Sequence, residues 1–270
     1  MTSKIRALIR WAGSKKKLIP VIKGHAPKSF NRYIEPFCGS LSLFLEMPKK
    51  NAILSDINSE LINFYKIVQV DPGCISDRIK LLDSSRESYY EIRSLNPELL
   101  SNKERAVRFF FLNRHCFNGV YRTNRKGQFN VPYGSKLTSI PSELEIFDFS
   151  RAINGSDFKC CDFEVSVSLA EQGDFIYLDP PYAGRDVKDR GEYGLNKFLE
   201  VDISRLHRSL REASDKGANV LLSYADIPVI RDLFNDWDIT SVSVGRSVSG
   251  FSKGRSVVAE VLIKNFKNDN

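Results

Sequence analysis

Phe175-Ile176-Tyr177-Leu178 runs directly into Asp179-Pro180-Pro181-Tyr182, and this junction sets the tightest limit on what the chain can fold into. Four consecutive apolar residues with no polar alternation read as a strand covered on both faces, the habit of a parallel sheet. Two prolines fix two successive φ angles and remove two N–H donors. The strand therefore ends in a stiff corner that offers only acceptors: the Asp179 carboxylate and carbonyls such as that of Pro180. In open parallel sheets ligands bind beyond the carboxyl ends of the strands, so the corner lies where chemistry is expected. Such an edge suits a flat ring carrying an exocyclic amino group, and Tyr182 adds an aromatic face for it to stack on. Taken alone, the tetrapeptide also reads as a plain proline turn, with Asp179 as a helix cap and Tyr182 as packing.

The rest of the 270 residues alternates strand and helix signals around a helical middle. Strand patterns at 32–37 and 51–55 flank a helical spacing of Leu41, Phe44 and Leu45 over 39–46, a βαβ unit with Gly39 in its first turn. Asn58 can cap a helix over 59–70, and 88–95 and 102–112 show further helical spacing. Phe117, Tyr121, Phe129 and Val131 then alternate with polar turns at Asn118-Gly119, 122–124 and Lys126-Gly127, which predicts a hairpin unsuited to a core. From 158 onward strands are expected at 158–161, 175–178 and 220–223, helices at 203–213 and 227–235. An antiparallel pair at 239–244 and 256–264 closes the chain. The expected fold class is α/β: a Rossmann-like sheet with helices on both faces, ending in an antiparallel hairpin. The body is expected over 1–57 and 142–270, with a helical insertion carrying a β-hairpin over 58–141.

Charge is unevenly placed. Lys and Arg outnumber Asp and Glu by 40 to 33, and residues 1–34 hold nine basic side chains without one acid. Residues 113–136 carry Arg114, Arg122, Arg125, Lys126 and Lys136, and 241–259 carry Arg246, Lys253 and Arg255, again with no acid. One such stretch is ordinarily a solvated face; three in one chain point to a polyanion. The five cysteines, Cys38, Cys74, Cys116, Cys160 and Cys161, form no C-x-x-C pair. Three histidines beside them give no zinc-ligand spacing, so no metal is expected and a zinc-dependent nucleobase deaminase is disfavoured. Cys38 reads as a core filler and His207 as structural. No apolar run approaches the roughly 20 residues of a membrane span, and the N-terminal residues lack the apolar centre of a signal peptide. A cytoplasmic protein with no membrane partner is expected.

The Asp179 tetrad resembles that of DNA adenine-N6 methyltransferases of the Dam family (class D12, alpha group), and the resemblance extends over nearly the whole chain. Arg10-Trp11-Ala12-Gly13-Ser14-Lys15 is similar to the family's N-terminal cofactor motif, and residues 33–40 to its first βα turn. Residues 53–58 resemble its acidic loop, and 112–119 with 127–134 its DNA-recognition hairpin. The resemblance implies S-adenosylmethionine as cofactor, held by Trp11, Lys15, Phe37, Gly39, Asp56, Asp162, Phe163 and Asp179. Asp56 follows Glu35 by about twenty residues, at a strand end where a carboxylate can grip ribose hydroxyls. The resemblance further implies methyl transfer to adenine N6 carried by Asp179, Pro180 and Tyr182. Double-stranded DNA would be the partner, contacted by Arg114, Phe117, Asn118, Arg122, Asn124, Arg125 and Lys126. Phe117 would fill the gap left by a flipped base and Arg122 would read a base in a target such as GATC. A cognate restriction endonuclease stays open. Two positions depart from the family pattern: Leu41 stands where many members have a second glycine, and Thr123 where many have an aromatic. The alternatives are a non-catalytic DNA-binding protein of the same fold and an amino-methyltransferase acting on cytosine N4 or RNA adenine. Asp at position 179, rather than Ser or Asn, disfavours the latter pair by resemblance.

Overall fold

The computed structural model describes residues 5–47, 51–183, 198–244 and 258–267. Its sheet contains β1 (Tyr33–Glu35), β2 (Ala52–Asp56), β3 (Asp157–Cys160), β4 (Phe175–Leu178), β5 (Asn219–Ala225), β6 (Asp238–Val244) and β7 (Val258–Lys264), in the order β3-β2-β1-β4-β5-β7-β6. Strands β1 to β5 run parallel to one another. β7 is antiparallel to both β5 and β6, so the expected terminal hairpin is present and its return strand inserts beside β5. The tip of that hairpin, with Arg246, Lys253 and Arg255, lies outside the described residues.

The apolar run of β4 is explained by burial on both sides. Phe175 and Tyr177 face one core with Tyr33, Leu54 and Leu221, while Ile176 and Leu178 face the other with Ile34, Val220 and Leu222. Helices α7 (Phe163–Ser168), α8 (Glu200–Asp215) and α9 (Pro228–Leu233) supply the second core. Helix α1 (Ile19–His25) and the long β2–β3 connection cover the first. At the amino edge Asp174 accepts from the Arg32 backbone N–H (3.1 Å) and from its guanidinium (2.6–3.1 Å), which fixes β1 against β4.

The β2–β3 connection contains α2 (Ser59–Val70), α3 (Pro72–Lys80), α4 (Arg86–Ser94), α5 (Asn102–His115) and α6 (Glu143–Ile153). Asn58 caps α2 as expected, through its Oδ1 and the Leu61 N–H. Helix α2 packs on β2 and β3 and also on α5. Helices α3 and α6 lay outside the sequence expectation, although both announce themselves locally. Asp71 caps α3 just before Pro72, and Ser142 with Glu145 forms a reciprocal capping box on α6.

Two expectations are corrected. Residues 39–46 do not form an α-helix: they make a tight turn followed by one 3₁₀ turn at Phe44–Glu46. The reason is Leu41, whose φ of +59° breaks any right-handed run through that segment. The stretch after Phe117 is also not a poor core. Val131 is buried and Tyr121 and Phe129 pack against the main core, while two isolated bridges, Cys116 to Tyr133 and Thr123 to Phe129, carry the hairpin.

Candidate active site

Strand order reverses between β1 and β4, and in open α/β sheets ligands bind in the crevice at such a point, above the carboxyl ends of the strands. The turn 35–37 leaves β1 there and the Asp179 corner leaves β4 beside it. In the first turn Gly39 donates to Asp56 Oδ2 (3.3 Å) and Tyr65 Oη donates to the Gly39 carbonyl (2.5 Å). Gly39 has φ +43°, and a Cβ there would stand 2.8 Å from Trp11 Cδ1, so the indole needs glycine beneath it. Leu41 occupies the same left-handed region. That conformation costs a branched residue about 1–2 kcal/mol, and full burial of the side chain returns about 1.5–3 kcal/mol. The leucine found in place of a glycine thus fits a turn that glycine would enter without strain.

Asp56, half-buried at the end of β2, accepts from the backbone N–H groups of Asn58 (3.0 Å) and Gly39. Burial pushes its carboxyl up to about 6 against these hydrogen bonds. Phe37 stacks on Phe163 (5.6 Å between centroids) with Phe198 at its edge. Asp162 caps α7 through the Glu164 N–H and pairs with Arg205 (2.9 Å), whose guanidinium lies 5.0 Å over the Phe163 ring.

At the second turn Lys15 points inward, while Lys16 and Lys17 are exposed. Its Nζ donates to Tyr182 Oη (2.6 Å) and Glu260 Oε2 (2.9 Å) and lies 3.2 Å from Asp179 Oδ1. Tyr182 rests against Tyr224 (5.1 Å), which accepts from the Ala183 N–H through its hydroxyl. Pro180 is buried and Asp179 half-buried. Glu35, buried at the end of β1, accepts from Tyr33 Oη (2.9 Å), yet burial, with Asp179 nearby, pushes its carboxyl up to about 8.

A carboxyl whose folded pKa exceeds its unfolded value favours the fold while protonated. For Glu35 that contribution is complete below its unfolded pKa and is lost as pH rises toward 8. Glu35→Gln should therefore melt progressively higher relative to wild type between about pH 5 and about pH 8. Calorimetry at several pH values checks this; a constant gap would mean that Glu35 ionises normally in the fold.

Beside the crevice, Arg10 and Asn113 exchange two hydrogen bonds (2.9 and 2.7 Å) that tie the N-terminal segment to α5. Trp11 stacks on Tyr121 (5.7 Å, 26°). Gly119 packs on Arg10 so closely that a Cβ would collide with its Cβ. Phe117 is exposed, on a 3₁₀ turn with Asn118 at φ +55°. Arg122 Nε donates to Asn130 Oδ1 (2.8 Å), and Arg125 and Lys126 are exposed. Asn124 organises the tip, its Oδ1 accepting from the Lys126 and Gln128 N–H groups. Arg114 is turned inward, onto the carbonyls of Leu8 (3.1 Å) and Ser139. Thus Trp11, Gly39 and Asp56 meet at the first turn, Lys15, Asp179 and Tyr182 at the second, and the hairpin residues line a separate rim. Sequence reasoning missed Glu260 and Tyr121. The signal for Glu260 is a single acid inside the otherwise apolar run 257–263, and Tyr121 sits in an alternation with polar turns that predicts exposure.

Among the described residues no group of three metal-ligating side chains occurs, and no helix is long and apolar enough to cross a membrane. A seven-stranded, largely parallel sheet whose strand order reverses between β1 and β4 is a Rossmann-like arrangement. The family model of D12 class N6 adenine-specific DNA methyltransferases matches residues 11–248, and the chain belongs to that family. It is 34% identical to the "Type II methyltransferase M1.LlaDCHI" of Lactococcus lactis subsp. cremoris, over 98% of this chain and 96% of that one. It is 32% identical to a "DNA adenine methylase" of Vibrio cholerae, over 96% and 95%. The "Retron Ec67 DNA adenine methylase" of Escherichia coli is also 32% identical, over 95% and 90%.

Proposed function

We propose that this adenine-specific DNA methyltransferase transfers a methyl group from S-adenosylmethionine to N6 of an adenine flipped out of duplex DNA, within a short target such as GATC. The observation that carries the reading is the acceptor corner at Asp179, held by Lys15 beside the Gly39–Asp56 turn. In this reading residues 1–57 and 142–270 bind cofactor and perform the chemistry, and 58–141 find the target, in the cytoplasm.

The cofactor-side residues fit their ligand. The hydrogen bonds to Asp56 come from backbone N–H groups, and its carboxylate suits ribose hydroxyls. The Phe37–Phe163 stack suits a purine, with Asp162 at its edge. Trp11 covers the turn, and Lys15 and Asp179 reach its far end. When bound, S-adenosylmethionine supplies an electrophilic methyl group on a sulfonium.

The adenine N6 lone pair is delocalised into the ring and is a poor nucleophile. Asp179 and the Pro180 carbonyl accept its two hydrogens and draw the nitrogen toward a tetrahedral form. Positive charge grows on N6 as the bond forms, so the attraction to Asp179 is greatest in the transition state. Tyr182 stacks on the base, and Asp179 takes the proton afterwards. Flipping costs a few kcal/mol. Exposed Phe117, with Asn118, fills the vacated stack, while Arg125 and Lys126 hold phosphates. Arg122, oriented by Asn130, reads a base edge. Asn124 and Arg114 serve by shaping the rim, the former as the turn's hub and the latter as a brace to residue 8.

Incubating plasmid with the protein and S-adenosylmethionine, then mapping modified bases by single-molecule sequencing, tests the reading. N6-methyladenine confined to one short motif is expected. Methylcytosine, or methylation of RNA alone, would overturn it.

A further inference from the structure

Glu260 is completely buried on β7, paired in register with Ala225 of β5 and Val242 of β6. Burying a carboxylate without a partner is strongly unfavourable, so the groups that meet it matter. One of them is Lys15 Nζ at 2.9 Å, and Lys15 is itself only 10% exposed. An ammonium has three donors. Two of them go to Tyr182 and Glu260, at 2.6 and 2.9 Å, and the same Nζ forms an ion pair with Asp179 at 3.2 Å. Asp179 and Tyr182 follow a proline-stiffened strand end, and Glu260 sits on a strand bonded on both sides. Lys15, by contrast, comes from a segment without regular secondary structure. Glu260 is the rigid point from which that side chain is aimed.

We propose that Glu260 is a positioning residue for methyl transfer, acting through Lys15; this rests on the reading of Asp179 as the acceptor for the adenine amino group. With Glu260 present, the ammonium is shared between two carboxylates, so Asp179 is held in place without surrendering its acceptor capacity. With a neutral side chain at position 260, Asp179 is the carboxylate that remains to Lys15 among the described residues, beside the Tyr182 hydroxyl. The pair tightens, and the oxygen that should accept from N6 is drawn onto the ammonium.

The test is a double-mutant cycle on the full chain, with Glu260→Gln and Lys15→Met singly and together. Single-turnover tritium transfer to duplex DNA gives the rate, and equilibrium titration gives the Kd for cofactor and for DNA. Glu260→Gln should slow transfer by about ten- to a hundredfold while both Kd values stay within about threefold, the loss expected for one charge-assisted contact in the transition state. Added to Lys15→Met, it should change the rate by less than about twofold, because the lysine through which it acts is gone. An equal loss in both backgrounds, or a near wild-type rate for Glu260→Gln, would overturn the proposal. Melting curves identify folded variants; if Glu260→Gln does not fold, Glu260→Asp carries the same cycle with the same criteria. A wild-type protein that methylates no DNA would defeat the parent reading instead.

Discussion

Asp179→Ala should reduce single-turnover methyl transfer by about a hundred- to a thousandfold, the loss that follows removal of one preorganised transition-state partner. The substitution deletes the acceptor whose attraction increases as charge develops on N6, so the effect belongs in the rate and not in ground-state binding. Affinity for duplex DNA should change little, since the hairpin proposed to meet phosphates is separate from the corner. Cofactor should still bind, because Asp56, Phe37 and Phe163 are untouched. Lys15 keeps Glu260 and Tyr182 as partners, which limits structural collapse around the missing carboxylate. Near wild-type turnover in a tritium-transfer assay would remove the proposed chemistry.

Arg122→Ala should flatten discrimination between a cognate duplex and single mismatches at one base pair, by about 1–3 kcal/mol. Its Nε is committed to Asn130 Oδ1, which orients the guanidinium as the proposed base reading requires. Exposed Arg125 and Lys126 have no such orienting hydrogen bond among the described residues and should behave as phosphate contacts, with substitutions that weaken binding on every sequence alike and lower its salt dependence. Binding titrations over a panel of mismatched duplexes, at two salt concentrations, separate the two behaviours. Uniform weakening by Arg122→Ala would place it with the phosphate contacts.

Asp179 could be picked out from the chain alone, and the reason is local, whereas Arg122 is singled out by the family resemblance. The apolar run before Asp179, the two prolines, the Asn58 cap and the β-branched strands are short-range signals that tertiary packing reinforces. The turn after β1 was less legible. Leu41 and its neighbours have helical spacing, but a buried leucine held at positive φ diverts the chain, and burial of that kind is decided by the rest of the fold. The charge network was less legible still. Lys15 in a run of three lysines has the sequence character of a solvated side chain, and Glu260 lies 245 positions away. Only the insertion of β7 beside β5 brings them together. Tyr121 is similar: its alternation with polar turns suggests exposure, whereas Trp11, from the far end of the chain, covers it.

The most direct measurement is a structure of the protein with duplex DNA and a non-reactive analogue of S-adenosylmethionine. The account predicts an extrahelical adenine stacked on Tyr182, its N6 within about 3 Å of an Asp179 oxygen and of the Pro180 carbonyl. The analogue's methyl-bearing position should lie on the opposite side of that nitrogen. An adenine that stays in the helix, or an N6 facing away from the corner, would contradict it.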